Sequence, residues 1–243
     1  MKQIILMIVA FVVMVYVNAK ANMSTINGQT TSEVSNKLDV LFTPAGYVFS
    51  IWGLIYLLLA IWLYLQLKHR NTSEKVPGNV GYLFIISCIL NISWLFAWHY
   101  EMFILSLLIM VLLLLTLIAI YKSYPVGDSE FGGRLPFSFY LGWISVATIA
   151  NTAYTLKYYD VSLGIDEVTG TIVLVIFAGL LALIGQKVSD DSYFAIVFVW
   201  AIIGIAASNT APSLIVACFV LAIVVLIAII AMSFMKNRNR VSS

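Results

Sequence analysis

An all-α integral membrane protein is the fold class this sequence predicts, and three observations predict it. Of 243 residues, 62% are hydrophobic and 10% charged. A soluble domain runs about 45–50% apolar and about 25% charged. The apolar residues also come in runs long enough to cross a bilayer core, which needs about 20 residues per helix. The charged residues fall between those runs. Lipid offers backbone polar groups no partners, so such runs are helices. A membrane barrel would show short alternating segments instead.

Eight spans are predicted, at 3–19, 46–67, 80–98, 102–121, 136–156, 168–186, 193–209 and 211–235. The first comes after Lys2 and runs apolar from Ile4 to Val17, then meets Ala19-Lys20-Ala21. That pattern is close to a secretory signal with a small-x-small cleavage site. Lys20 inside the site spoils it, so a retained first helix is expected. The longest non-apolar stretch is 20–45; it is either a solvated linker or a lid over a cavity. Spans three and four are separated by a short turn with His99 and Glu101. Spans seven and eight are separated only by Ser208-Asn209-Thr210-Ala211-Pro212.

The basic residues set the expected direction. With the N-terminus inside, Lys2, Lys68, Arg70, Lys75, Lys122, Arg134, Lys187, Lys236, Arg238 and Arg240 lie inside. Lys20, Lys37 and Lys157 lie outside, so the bias is ten to three. By the positive-inside rule both termini are cytoplasmic. The expected setting is the plasma membrane of a bacterium.

No Asp, Glu, Lys or Arg falls within a span as drawn. Such residues mark proton relays and ion paths, so a pump or proton-driven transporter is disfavoured. No metalloprotease, phosphate-loop or nucleophile-elbow pattern occurs. Cys88 and Cys218 sit in apolar runs and read as small buried hydrophobes. His69 and His99 fall on opposite sides, so they cannot pair on a haem, and His99 reads as a solvated turn residue. The net charge of +2 gives no nucleic-acid surface. The Asp190-Asp191 pair reads as solvated, and Lys236–Arg240 as a stop signal near anionic lipid.

What remains is aromatic and neutral-polar: 6 Trp, 13 Tyr and 14 Phe. Trp62, Tyr64, Tyr100, Tyr121, Tyr124, Tyr158 and Tyr159 suit interfacial belts. Trp52, Trp94 and Trp143 lie deeper, in polar company. Ser50 and Tyr56 flank Trp52, Asn91 and Ser93 precede Trp94, and Ser145, Thr148 and Asn151 come after Trp143. Asn91, Trp94 and Trp98 share one helix face, as do Trp143, Ala147 and Asn151. Two readings fit. The Asn side chains bridge helices, or the two faces line a cavity for a flat, largely apolar ligand with a few polar edges.

Three motifs carry a resemblance. Pro44-Ala45-Gly46-Tyr47-Val48-Phe49-Ser50-Ile51-Trp52-Gly53-Leu54-Ile55-Tyr56 opens span two, Leu90-Asn91-Ile92-Ser93-Trp94 lies in span three, and Tyr140 to Asn151, with Trp143, Ala147 and Thr148, lies in span five. In this order they resemble the tryptophan-rich sensory protein and translocator protein family (TspO/MBR), over about residues 1–158. The resemblance implies a five-helix bundle, 1–158, followed by about three additional C-terminal membrane helices, 159–243. It implies a cavity capped by the first loop that binds porphyrin, haem or other hydrophobic molecules, and a homodimer. Carried onto this chain, it points to Trp52, Tyr56, Asn91, Trp94, Trp143, Ala147 and Asn151 as ligand-binding residues. Ala45 stands where the family pattern has a second proline, and Phe139 where it has another.

The function expected is that of a membrane receptor or sensor for a tetrapyrrole, with no required cofactor, no metal and no enzymatic role. The alternative is a multi-pass transporter of a neutral or amphipathic solute. Degradation of a bound porphyrin ranks third, for want of an acid–base pair. In 159–243, Gly204, Ala206, Ala207 and Ser208 allow close helix packing. Trp200 and Asn209 faintly echo Trp143 and Asn151, and no motif assigns this half a function.

Overall fold

The structure, a computed structural model, describes residues 2–23, 26–68, 78–162 and 164–241, with side chains through residue 234. His69, Arg70 and Lys75 lie outside the described residues, as do the side chains of Lys236, Arg238 and Arg240. Regular structure among the described residues is helical, apart from an isolated bridge between Ile26 and Gln29. The helices are α1 (Lys2–Met23), α2 (Thr31–Ser35), α3 (Ile51–Lys68), α4 (Val80–His99), α5 (Phe103–Lys122), α6 (Leu135–Tyr158), α7 (Glu167–Ser189), α8 (Ser192–Ser208) and α9 (Pro212–Val241). A 3-10 turn, Gly46–Ser50, leads into α3. All eight expected spans are therefore helices, and the first loop adds the short α2.

By length and composition alone, six helices can cross a membrane: α1, α4, α5, α7, and the helical stretches Gly46–Lys68 and Pro212–Phe234. The protein is thus an integral membrane helical protein. α8 is apolar but has 17 residues. α6 has 24 residues and is long enough, but carries too many polar side chains. Its polarity is tolerable because it is hidden. Between Leu135 and Lys157 every residue of α6 is buried or half-buried. Its hydroxyls also bond to their own helix. Ser145 donates to Leu141 O at 2.8 Å, Thr148 to Ile144 O at 2.7 Å, Thr152 to Thr148 O at 2.8 Å and Thr155 to Asn151 O at 2.7 Å. Such back-bonding removes the cost of an unpaired donor in an apolar surround.

The chain divides into two units, Met1–Val40 with Ser50–Val161, and Leu41–Phe49 with Ser162–Ser243. In the first, five long helices pack in a closed order: α1 on α4, α4 on α5, α5 on α6, α6 on α3, and α3 on α1. At one end of this ring Trp62, Phe84, Phe137 and Tyr124 form a dry cluster. Trp62 lies 5.0 Å from both Phe84 and Phe137, and its indole N–H donates to Tyr124 Oη at 3.1 Å. Trp62 is fully buried, and Tyr121 and Tyr124 nearly so. The expected belt role of these three is corrected: each has a partner inside the protein. Tyr121 lies under the buried Arg134 guanidinium, 4.6 Å from its ring centre. Tyr64, Tyr100, Tyr158 and Tyr159 are exposed, as a belt requires.

In the second unit α7, α8 and α9 pack pairwise. Glycines set the approach: a Cβ at Gly179 would overlap Leu221, and one at Gly185 the Phe194 ring. Asp191 is not solvated as expected. It is buried and caps α8, accepting from Tyr193 N at 3.0 Å and Phe194 N at 3.2 Å. Asp190 ends α7 in the left-handed conformation, φ 51°.

Gly185→Ala is expected to destabilise the protein by about 1–3 kcal/mol through overpacking against Phe194. Adding Phe194→Leu is expected to restore part of that loss. Thermal unfolding of the two variants in detergent checks both.

Candidate functional site

The site residues lie in the first unit, on the inward faces of α3, α4 and α6. Tyr140 on α6 brings them together. Its hydroxyl accepts from Asn91 Nδ2 of α4 at 3.2 Å. Its ring meets Trp52 of α3 edge-on at 5.8 Å. Trp52 stacks on Tyr56 at 5.4 Å and meets Trp143 edge-on at 6.4 Å. Trp52, Tyr56, Asn91 and Trp143 thus form one connected set. Ala147 is half-buried one turn beyond Trp143 on the same face.

Asn91 itself is held. Asn18 of α1 donates to its Oδ1 at 2.8 Å, and Asn18 also bonds Met14 O at 2.9 Å. The chain Asn18–Asn91–Tyr140 therefore links α1, α4 and α6 across the ring, with all three side chains buried. Inter-helical bonds of this kind contribute about 0.6–2 kcal/mol in a bilayer. For Asn91, the bridging reading of the sequence is realised.

Trp94 and Trp98 form a second group. They stack at 5.8 Å, and Trp98 meets Tyr154 of α6 at 4.8 Å and Phe103 of α5 at 5.2 Å. Asn151 bonds toward α5. Its amide donates to Ser106 Oγ of α5 at 3.2 Å, and Thr155 donates to its Oδ1 at 3.3 Å. Asn151 is a bridge between α5 and α6.

Among the described residues, three buried donors in this region have no hydrogen-bond partner: Tyr56 Oη, Trp94 Nε1 and Trp98 Nε1. An orphaned buried donor costs about 1–3 kcal/mol. Tyr56 stands on α3, the two indoles on α4.

The first loop lies over the end of the first unit at which α4 and α5 join. His99 is fully buried rather than solvated, and it organises this end. Its Nδ1 faces Leu95 O at 2.8 Å, and its Nε2 lies 3.4 Å from Thr31 Oγ1. Its carbonyl accepts from Gln29 Nε2 at 2.8 Å and Asn27 Nδ2 at 3.0 Å. Tyr154 Oη donates to Val34 O at 2.8 Å. Lys37 pairs with Glu101, and Lys157 donates to Asp39 O. α2 carries a capping box: Thr30 Oγ1 accepts from Glu33 N at 3.2 Å and Glu33 accepts from Thr30 N at 2.6 Å. Residues 26–40 are therefore fastened to the helices and are not a free linker.

A family model described as TSPO-like protein matches residues 3–231. The chain belongs to the TSPO-like protein family. The match runs past residue 158, where the motif resemblance stopped, and takes in α7, α8 and most of α9. No curated protein and no solved structure matches the chain. Membership in the TSPO-like family points to a membrane sensor or binding protein.

Sequence reasoning missed Tyr140 and Asn18 as members of the site. Tyr140 was visible three residues before Trp143, on an adjoining part of the same face. Asn18 was visible as a lone amide in an apolar run, which in lipid must find a partner. Within the TSPO-like pattern, Ala45 has a physical use. Its N–H donates to Gly204 O at 3.0 Å, a bond that a second proline could not make.

Lys37 and Gln29 hold the Glu101 carboxyl below its ordinary pKa, and Thr30 does the same for Glu33. A lowered folded pKa gives stability that is present above the ordinary carboxylate range and is lost as pH falls through the folded value. Protection across 26–40, taken as exchange relative to each amide's intrinsic rate at the same pH, is therefore expected to fall on acidification below about pH 4. In Glu101→Gln, exchange is expected to be faster already at neutral pH, with a smaller acid response.

Proposed function

We propose that this protein is a membrane sensor that binds a flat, largely apolar ligand with acceptor groups at its edge, a tetrapyrrole of the porphyrin type. The observation that supports it best is the pairing of a buried and half-buried aromatic set with donors left unspent. Trp52, Tyr56, Trp94, Trp98, Tyr140 and Trp143 offer ring faces and edges. Tyr56 Oη, Trp94 Nε1 and Trp98 Nε1 offer hydrogen bonds. A porphyrin supplies both an extended π-surface and carboxylate acceptors. A charged acceptor makes each such bond stronger than a neutral one would.

The fastened first loop is the cover in this reading. Asn91 and Asn151 hold together the helices that carry these rings. The protein acts by binding rather than by catalysis, with both termini cytoplasmic in a bacterial plasma membrane. A homodimer fits this reading.

Porphyrin titration with Trp-fluorescence quenching tests it. Tyr56→Phe and Trp94→Phe keep a ring and remove a donor. Each is expected to weaken binding about five- to tenfold, in line with about 1–1.5 kcal/mol for one hydrogen bond. Both are also expected to leave the ligand-free protein as stable or more so, because an unmet donor has gone. Asn151→Ala is expected to lower stability while affecting binding less. Unchanged porphyrin affinity in all three would refute this assignment. The absence of saturable binding by the folded protein would favour the transporter instead.

A further inference from the structure

The second unit contains a feature that helix packing alone does not require. Residues 41–48 run antiparallel along one face of α8. Asn209 Nδ2 donates to Leu41 O at 2.8 Å, and Ser208 Oγ donates to Thr43 O at 2.7 Å. Ala45 N donates to Gly204 O at 3.0 Å, and Trp200 Nε1 donates to Val48 O at 3.1 Å. Trp200, Gly204 and Ser208 are spaced i, i+4, i+8, so they form one stripe. Gly204 is the floor of the stripe: a Cβ there would overlap Val48 Cγ2 and lie 3.2 Å from Pro44 Cβ. The Tyr47 ring meets Trp200 edge-on at 5.4 Å. Val48 is fully buried.

Three of the four bonds end on backbone carbonyls of 41–48. They fix the path of the chain and do not depend on its side chains. The chain continues from that path into α3. The 3-10 turn Gly46–Ser50 runs into α3 at Ile51 without a break, and Trp52 is the next residue. Val48 and Trp52 are about one turn apart on that continuous helical stretch.

We infer that α8 is a holder for the segment 41–49, and that Trp200, Gly204, Ser208 and Asn209 are positioning residues that set the first turn of α3 and thereby Trp52. This gives the C-terminal helices a role that their sequence does not announce. The bearing on ligand rests on the porphyrin reading; the holder itself does not.

Two variants separate these points. The triple variant Trp200→Phe, Ser208→Ala, Asn209→Ala removes three donors and keeps an aromatic ring on Tyr47. Ala45→Pro removes one N–H and leaves α8 untouched, so it carries the test if the triple variant does not fold. Hydrogen exchange of the full-length, ligand-free protein in detergent is the readout. Exchange is expected to quicken about tenfold over 41–49 and also over 50–56 in the triple variant, and less in Ala45→Pro. Exchange in the middle of α4 is expected to stay unchanged, which separates positioning from general loosening. Faster exchange confined to 41–49, or spread through α4, would overturn the inference. Protoporphyrin IX dissociation, measured on the same samples, is expected to speed up in step with exchange over 50–56. If the exchange pattern appears but the unaltered protein takes up no protoporphyrin IX, the ligand reading falls and the holder stands.

Discussion

The bilayer core gives a polar group nothing to bond to, and the rest of this structure depends on that constraint. Backbone groups meet it by forming helices. Side chains meet it in two ways. The hydroxyls of α6 turn back onto their own carbonyls. The amides reach across helices, as Asn18 does to Asn91 and Asn91 to Tyr140. Each bridge fixes the rotation of the helices it joins. That rotation turns Tyr140 of α6 inward, and Trp143 on the same helix, where Trp52 of α3 meets both rings. Against that rule, the donors on Tyr56, Trp94 and Trp98 stand out in the first unit.

The first loop is held in two pieces by two different chemistries. Residues 26–40 are fastened through His99, Glu101, Tyr154 and Lys157: loop amides donate to the His99 carbonyl, Lys37 pairs with Glu101, and Tyr154 and Lys157 donate to loop carbonyls. Residues 41–48 are fastened to α8 chiefly through backbone carbonyls. The ion pair in the first piece is exposed, and exposed pairs contribute little by themselves. The capping box, the buried His99 and the Tyr154 bond give that piece its order.

Much of the fold was legible because apolar length is a coarse and robust signal. Each apolar run of the sequence is a helix, with ends displaced by only a few residues. The inward faces of α4 and α6 were legible too, since a lone Asn or Trp deep in a run has few explanations. The burial of Trp62, Tyr121 and Tyr124 was not legible, for a clear reason. An aromatic residue near a helix end looks the same in sequence whether it meets lipid headgroups or a neighbouring helix. The same holds for His99: a histidine in a short turn gives no sign that a distant loop will fold over it. The hold of α8 on 41–48 left almost no trace. Bonds to backbone carbonyls impose no pattern on the residues that carry them, and Gly204 reads as one small residue among several.

The polarity of α6 has a consequence for how the protein is made. A helix is released into the bilayer according to its own apolarity, and each central polar residue counts against it. α6 carries Ser138, Ser145, Thr148, Asn151 and Thr152 and is not apolar enough by itself. Its partners α3 and α5 precede it in the chain and are strongly apolar. They are synthesised before α6 and can shield it as it enters the bilayer. Biosynthesis of the first unit is thus ordered, with the helix that carries Tyr140 and Trp143 the last of its ring to enter the membrane.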